Sequence, residues 1–324
     1  MRFGHFDDAR REYVIDTPRT PLPWINYLGS EDFFSLVSNT GGGYSFYRDA
    51  RLRRITRYRY NNSPLDMDGH RIYINDGGTV WNPGWQPTQT PLDFYECRHG
   101  MGYSRFTGQK NHLKASLLTF VPLEDSCEIN QLTLTNDSER EKTIQLFSYL
   151  EWCLWNADDD MKNFQRNFST GEVEIEGSIL YHKTEYRERR NHYALFSVNT
   201  PITAFETDRD SFLGPYRSNQ NPSAVEKGQL SNSVASGWSP IAAHQIDLTL
   251  QPGESKTFIF VTAYVEVPVE EKWEAPGVIN KKPAHALLSR YSNPDQVQDA
   301  FLALRHYWTA LLSRYHISSD SREV

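Results

Sequence analysis

Two neighbouring runs decide the fold class: Ile246-Asp247-Leu248-Thr249-Leu250 and Phe258-Ile259-Phe260-Val261. The first alternates apolar and polar residues, the period of a strand with one wet face. Pro252-Gly253 then supplies a turn. The second run is apolar on both faces, as in a strand buried inside a sandwich. Working outward, Glu172-Val173-Glu174-Ile175-Glu176 alternates strictly, and Ile144-Gln145-Leu146-Phe147-Ser148-Tyr149-Leu150 repeats the buried pattern. Leu132 and Leu134 mark a strand just before it, joined through the turn-rich Thr135-Asn136-Asp137-Ser138-Glu139. Short strands with turn clusters along most of the chain imply a mainly β protein, a large antiparallel β-sandwich. No fixed-period repeat supports a propeller or solenoid.

The C-terminal part reads differently. Asn293 can cap a helix, Pro294 suits its first turn, and Asp295 favours the positive N-terminal end. Val297, Ala300, Phe301, Leu304, Trp308, Leu311 and Leu312 then follow a period near 3.6 and form one apolar stripe. That stripe either packs on the sandwich or awaits a helical partner. Residues 284–291 form a weaker helix after Pro283, and residues 270–282, with mixed charge and Pro276-Gly277, read as a linker. The division is a sandwich over 1–270 followed by a helical linker over 271–324.

The 324 residues carry 34 Lys and Arg against 41 Asp and Glu, a net charge of −7, which gives no basic footprint for nucleic acid. No apolar run approaches the roughly 20 residues that span a bilayer. The opening Met1-Arg2-Phe3-Gly4-His5-Phe6-Asp7-Asp8 has no apolar signal core, so export is not expected. Cys97, Cys127 and Cys153 form no CxxC pair or even-numbered framework, as suits a reducing cytoplasm. The load of 8 Trp, 18 Tyr and 17 Phe must be placed in a core or on a ligand path.

Familiar catalytic signatures (GxSxG, HExxH, GxxxxGK[ST], GxGxxG) are absent. Gly41-Gly42-Gly43 lacks a following Lys-Ser/Thr and reads as a turn or bulge. His99, between Tyr95 and Tyr103, could meet a sugar or phosphate but fits a hydrogen-bonded structural histidine. Cys97 beside it has no evident activation and reads as a small apolar group. Asp158-Asp159-Asp160 lacks an EF-hand spacing and reads as a solvated loop. Asp208-Arg209-Asp210 suits local ion pairing or a substrate contact. Trp152 and Trp155, followed by Asn156, Asn163, Gln165, Arg166 and Asn167, mix flat rings with amides and a guanidinium, the combination that recognises sugars. Trp81-Asn82-Pro83-Gly84-Trp85 is a second such cluster. Ring burial in a sandwich core explains the same aromatics. No pair of carboxylates for glycosidic cleavage is identifiable.

Longer motifs carry a resemblance. Pro23-Trp24-Ile25-Asn26-Tyr27-Leu28-Gly29, Asn39-Thr40-Gly41-Gly42-Gly43-Tyr44-Ser45-Phe46, Arg54-Ile55-Thr56-Arg57-Tyr58-Arg59-Tyr60-Asn61 and Tyr95-Glu96-Cys97-Arg98-His99-Gly100-Met101-Gly102-Tyr103 are among them. So are Asn163-Phe164-Gln165-Arg166-Asn167 and Asp208-Arg209-Asp210-Ser211-Phe212-Leu213-Gly214. With these the chain resembles the N-terminal part of the cellobiose phosphorylases, a family of inverting glycoside phosphorylases. The resemblance implies a galactose-mutarotase-like super-sandwich, then a helical linker, an (α/α)6 catalytic barrel and a C-terminal β domain, in a homodimer. It implies reversible phosphorolysis of cellobiose to α-glucose 1-phosphate and glucose, with inorganic phosphate as co-substrate and no organic cofactor or metal. No residue here matches the family's general acid, so residues 271–324 are expected to lead into a barrel that the chain lacks. The loop 156–167 is implied to lie at the active-site entrance, making Asn156, Asn163, Gln165 and Arg166 the candidate substrate-binding rim. A carbohydrate-binding module without catalysis and a dimerisation module are the alternatives.

Overall fold

Strands that are apolar on both faces need cover on both sides, and the architecture supplies it. The computed structural model describes residues 2–29, 31–59, 66–162, 170–185, 191–237 and 239–314. In chain order come β1 Gly4–Asp7, β2 Glu12–Ile15, β3 Ile25–Leu28, β4 Phe33–Ser38, β5 Gly43–Tyr47, β6 Arg54–Thr56, β7 Arg71–Asp76 and β8 Thr79–Trp81. Next are β9 Phe94–Gly100, β10 Tyr103–Lys110, β11 Leu113–Phe120, β12 Cys127–Asn136 and the long β13 Lys142–Trp155, which ends in helix α1 Ala157–Met161. Strands β14 Gly171–Glu176, β15 Ile179–His182, β16 His192–Val198 and β17 Ala204–Asp208 precede helices α2 Arg209–Leu213 and α3 Ser223–Lys227. After β18 Ser236–Gly237, β19 Pro240–Leu250 and β20 Ser255–Glu266 come the short strands β21 Trp273–Ala275 and β22 Val278–Ile279. Helices α4 Lys282–Ser289 and α5 Pro294–Leu312 follow.

The strands form an 11-stranded sheet in the order β1-β2-β9-β10-β11-β12-β20-β16-β15-β14-β18 and a 9-stranded sheet in the order β17-β19-β13-β6-β5-β4-β3, with β7 joining β13 to β8. The paired strands run antiparallel, β12 against β20 with Ile129 opposite Val261 and Leu132 opposite Phe258. This is the large antiparallel sandwich expected from the alternating runs. Between the sheets lies a core containing Trp81, Trp152, Trp155, Phe196, Phe258, Phe260 and Tyr264. Trp81 and Trp152 are fully buried and Trp155 nearly so. These rings therefore pack the core instead of standing on a sugar path, the outcome expected where large apolar area is best spent away from water.

Strand β20 shows why its sequence has no polar face. Phe258, Phe260 and Tyr264 turn to the inter-sheet core, while Ile259, Val261, Ala263 and Val265 turn outward into a second cluster with Val297, Phe301 and Leu304 of α5. The helical segment thus covers the outer face of the larger sheet. Asn293 caps α5, its Oδ1 accepting from Gln296 N at 3.1 Å, and Pro294 occupies the first turn. Phe301 meets Tyr103 edge-on at 5.0 Å between ring centres. The last turn passes beyond the sheet, and Leu311 and Leu312 are exposed. Among the described residues no helix is long and apolar enough to cross a membrane.

At Gly41-Gly42-Gly43 the backbone turns between β4 and β5 with φ of +80° at Gly41 and +144° at Gly43. A Cβ on Gly43 would collide with the Leu36 carbonyl oxygen. This is the turn expected from the triplet, and only glycine fits it without strain.

Candidate functional site

The C-terminal end of β13 carries a cluster of buried charge. Its sequence, Tyr149-Leu150-Glu151-Trp152, sets one carboxylate inside an apolar run. Glu151 is only 5% exposed. Its Oε1 accepts from Tyr149 OH at 2.6 Å and from Arg209 Nε at 2.9 Å, and its Oε2 accepts from Arg57 Nη1 at 3.1 Å. Burial alone would raise the Glu151 carboxyl, but the Arg57 and Arg209 guanidinium groups carry it below its ordinary range.

Beyond Glu151 the strand bulges between Trp152 and Trp155, and Trp155 takes φ of +71°. A bulky residue in that region is strained and persists only where its surroundings fix it. Here the indole Nε1 donates to the Thr184 carbonyl at 2.8 Å, and the ring stacks on His182 at 4.8 Å. The chain then turns out of the sheet into α1.

Asn156 caps α1, its Oδ1 accepting from Asp159 N at 3.1 Å. Its side chain is thus engaged at the base of the loop implied to form the substrate rim. Asn163, Gln165 and Arg166 lie outside the described residues. The acidic triplet is not a solvated loop: Asp160 is 3% exposed and sits under Arg57. Arg57 Nε donates to its Oδ1 and Oδ2 at 3.0 and 2.9 Å, and Arg57 Nη2 to its Oδ1 at 2.6 Å. Arg59 Nη2 donates to the Asp160 carbonyl at 2.7 Å. Burial opposes the charge on Arg57, yet Glu151 and Asp160 more than offset it and hold the guanidinium firmly protonated. The base of the 156–167 loop is therefore staked to the sandwich through two arginines of the segment after β6.

The Asp208-Arg209-Asp210 stretch is also resolved. Asp208 caps α2, with Oδ1 accepting from Asp210 N at 2.7 Å and Ser211 N at 3.1 Å. The partner of Arg209 is Glu151, 58 residues away, and not either flanking acid, because the cap directs Asp208 to the backbone. Beside these groups opens a cleft of about 180 Å³, walled by Arg59, Asp68, Glu151, Arg209, Asp210 and Ser239. Burial and the neighbouring Glu151 charge push the Asp68 carboxyl up to about 6. Two carboxyl groups of divergent proton affinity, Asp68 and Glu151, thus share one polar cleft with the guanidinium groups of Arg57, Arg59 and Arg209.

Other candidates resolve as structure. His99 Nδ1 lies 2.8 Å from Ser104 Oγ and its Nε2 3.1 Å from the Trp24 carbonyl, so both ring nitrogens serve the fold. Cys97 is fully buried, and burial pushes its thiol well above the ordinary range. Among the described residues no group of three or more His, Cys, Asp or Glu side chains is placed to hold a metal ion. Sequence reading passed over Arg57, Asp68 and Glu151. The signal was present at Glu151, an acid among rings and leucine that requires a buried cation.

The chain is 33% identical over 99% of its length to an N,N'-diacetylchitobiose phosphorylase of Vibrio proteolyticus, and 30% identical over 99% to a solabiose phosphorylase of Paenibacillus borealis. It spans 39% and 41% of those relatives. A solved structure from the human microbiome, provisionally assigned as a kojibiose phosphorylase, superposes over 95% of this chain and 39% of its own with a TM-score of 0.57. At 11% identity that likeness concerns the fold alone. Residues 11–294 match the family described as glycosyl hydrolase 94, supersandwich domain. With its two antiparallel sheets and that match along most of its length, the chain belongs to the glycosyl hydrolase 94 supersandwich family.

Proposed function

We propose that this chain is the sandwich and helical portion of an inverting disaccharide phosphorylase, and that the substrate is cellobiose. The similarity that runs along 99% of the chain to relatives named as phosphorylases carries this reading. In the reaction a phosphate oxygen attacks the anomeric carbon, the glycosidic C–O bond breaks with inversion, and a carboxylic acid gives its proton to the leaving oxygen. The products are α-glucose 1-phosphate and glucose, and no organic cofactor takes part. We assign the proton donor to a catalytic portion outside this chain. The sandwich contributes the entrance: Asn156, Asn163, Gln165 and Arg166 line its rim, on a loop whose base is staked by Arg57 and Arg59. The protein works as a homodimer in the cytoplasm, where its three free, buried cysteines suit a reducing medium.

A second substrate, N,N'-diacetylchitobiose, is favoured by the 33% identity to the Vibrio proteolyticus protein. One assay separates the possibilities. The chain alone and the chain mixed with its catalytic portion are given cellobiose or N,N'-diacetylchitobiose, with and without phosphate. Release of α-glucose 1-phosphate by the mixture, dependent on phosphate, is the expected result. Turnover only of the acetylated disaccharide would shift the assignment to the second substrate. Robust turnover by the isolated chain would overturn the placement of the acid elsewhere.

A further inference from the structure

The cleft beside Glu151 has a ligand chemistry that can be read from which atoms are already spent. Arg209 donates through Nε to Glu151, and among the described residues its Nη edge has no hydrogen-bond partner. The Asp210 carboxylate accepts no hydrogen bond and pairs with no cation among the described residues, although its backbone N–H is taken by Asp208. Asp208 uses Oδ1 alone for the cap. Asp68 accepts from Arg59 N at 2.9 Å through Oδ2 and, among the described residues, has only a long 3.5 Å contact from Asn219 at Oδ1. Donor and acceptor edges thus stand together around about 180 Å³ of space.

Most ligand classes do not fit that lining. An anion would face Asp68, Asp208 and Asp210. A metal ion would face the guanidinium groups of Arg59 and Arg209, and no cluster of ligating side chains is placed to hold one among the described residues. An apolar molecule would desolvate charged walls without compensation. A nucleobase would find no ring to stack on among the described residues of the walls. A neutral polyhydroxyl compound does fit, since each hydroxyl both donates and accepts. Two adjacent hydroxyls can donate to a carboxylate while accepting from the two Nη groups of one arginine.

We propose that this cleft binds one neutral sugar ring, gripped at a pair of adjacent hydroxyls by Arg209 and Asp210 with Asp68 behind them. Arg209 is tethered by Glu151, itself fixed by Arg57 and Tyr149, so little side-chain freedom is lost on binding. Among the described residues no aromatic ring lines the site, and an affinity in the millimolar range is expected of hydrogen bonding that competes with water. Burial and the Glu151 charge raise the Asp68 carboxyl, and as a carboxylate it accepts from a hydroxyl at this position. Binding here is a property of this chain alone and requires no phosphorolysis, so its failure leaves the enzymatic reading untouched.

The test is titration calorimetry and ligand-observed NMR on the chain with glucose and with N-acetylglucosamine, using inorganic phosphate as the anion control. Saturable millimolar binding of a monosaccharide is expected. It should weaken at least about tenfold, or roughly 1.4 kcal/mol, in Asp210→Asn with the melting temperature unchanged, and also in Arg209→Lys, which keeps a cation beside Glu151 but loses the planar fork. Asp210 is exposed and has no side-chain partner among the described residues, so Asp210→Asn keeps the fold intact. Absence of saturable binding by either sugar overturns the proposal. So does binding that survives both substitutions, which would place the sugar elsewhere, and so does phosphate displacing the sugar from the cleft.

Discussion

Arg57 bridges two buried carboxylates, Glu151 and Asp160. It is 3% exposed, as are its partners within a few per cent, and it makes contacts to Asp160, Glu151 and Ser239. Removing one member of a buried ion pair costs about 3–5 kcal/mol because the remaining charge stays desolvated. Arg57→Ala should therefore lose that much in urea unfolding, and limited proteolysis should cut within 156–170 faster than in the parent chain. Arg57→Lys keeps the charge but not the planar fork, and should fall between the two. A loss within 0.5 kcal/mol for Arg57→Ala would show that Arg59 and Arg209 suffice. Glu151, an acid in an apolar strand, signals a buried cation, but which residue supplies it was not legible in the sequence. Arg57 lies 94 residues from Glu151 and 103 from Asp160, and no local spacing links them. Asp158-Asp159-Asp160 read as solvated because three adjacent acids usually are, and what overrode that prior was a distant pair of arginines. The Asn156 cap, by contrast, needs only its neighbours, but capping and substrate binding use the same amide chemistry, so sequence alone could not separate them.

At the level of elements, α5 was the most legible part of the chain. Its cap, first-turn proline and 3.6-residue period are all local features, and all three appear in the structure. Which stretch of its stripe is covered depends on where the larger sheet ends, and that is a tertiary fact. Val297, Phe301 and Leu304 lie on the sheet, whereas Leu311 and Leu312 project past it. Phe301 fills the space between Tyr103 and Phe120, so Phe301→Ala should cost about 3–5 kcal/mol, the usual range for emptying a buried ring site. Leu311→Ser at the exposed end should change stability by less than about 0.5 kcal/mol. Urea unfolding followed by circular dichroism compares the two. Equal losses would mean that the last turn is also buried against something in solution. The same covering explains why β20 reads as apolar on both faces. Periodicity shows that both sides are dry, and it is silent on whether the second cover is a sheet or a helix.

For the molecule as a whole, the interior between the sheets is built partly from neutral histidine. His244 on β19 is fully buried, with Nδ1 2.8 Å from Ser148 Oγ and its ring against Phe196 of the opposite sheet at 4.8 Å. His182 is equally buried and lies flat against Trp152 and Trp155. Burial lowers both to about 3. The unfolded chain, with histidine near its ordinary 6.5, takes up protons that the folded chain refuses. The stabilising contribution is therefore fully present above pH 6.5 and falls as the pH drops toward about 3. Between pH 7 and pH 5 each histidine should withdraw about 2 kcal/mol of stability. Carboxylates also titrate toward the lower end of that interval, so the comparison is made between variants. His244→Gln keeps a polar group facing Ser148 and cannot take up the proton. Its unfolding free energy should fall between pH 7 and pH 5 by about 2 kcal/mol less than that of the parent chain, whatever its absolute stability. Parallel pH dependences for the two chains would mean that His244 is protonated in the folded state, which would require water or a carboxylate to reach the space between the sheets.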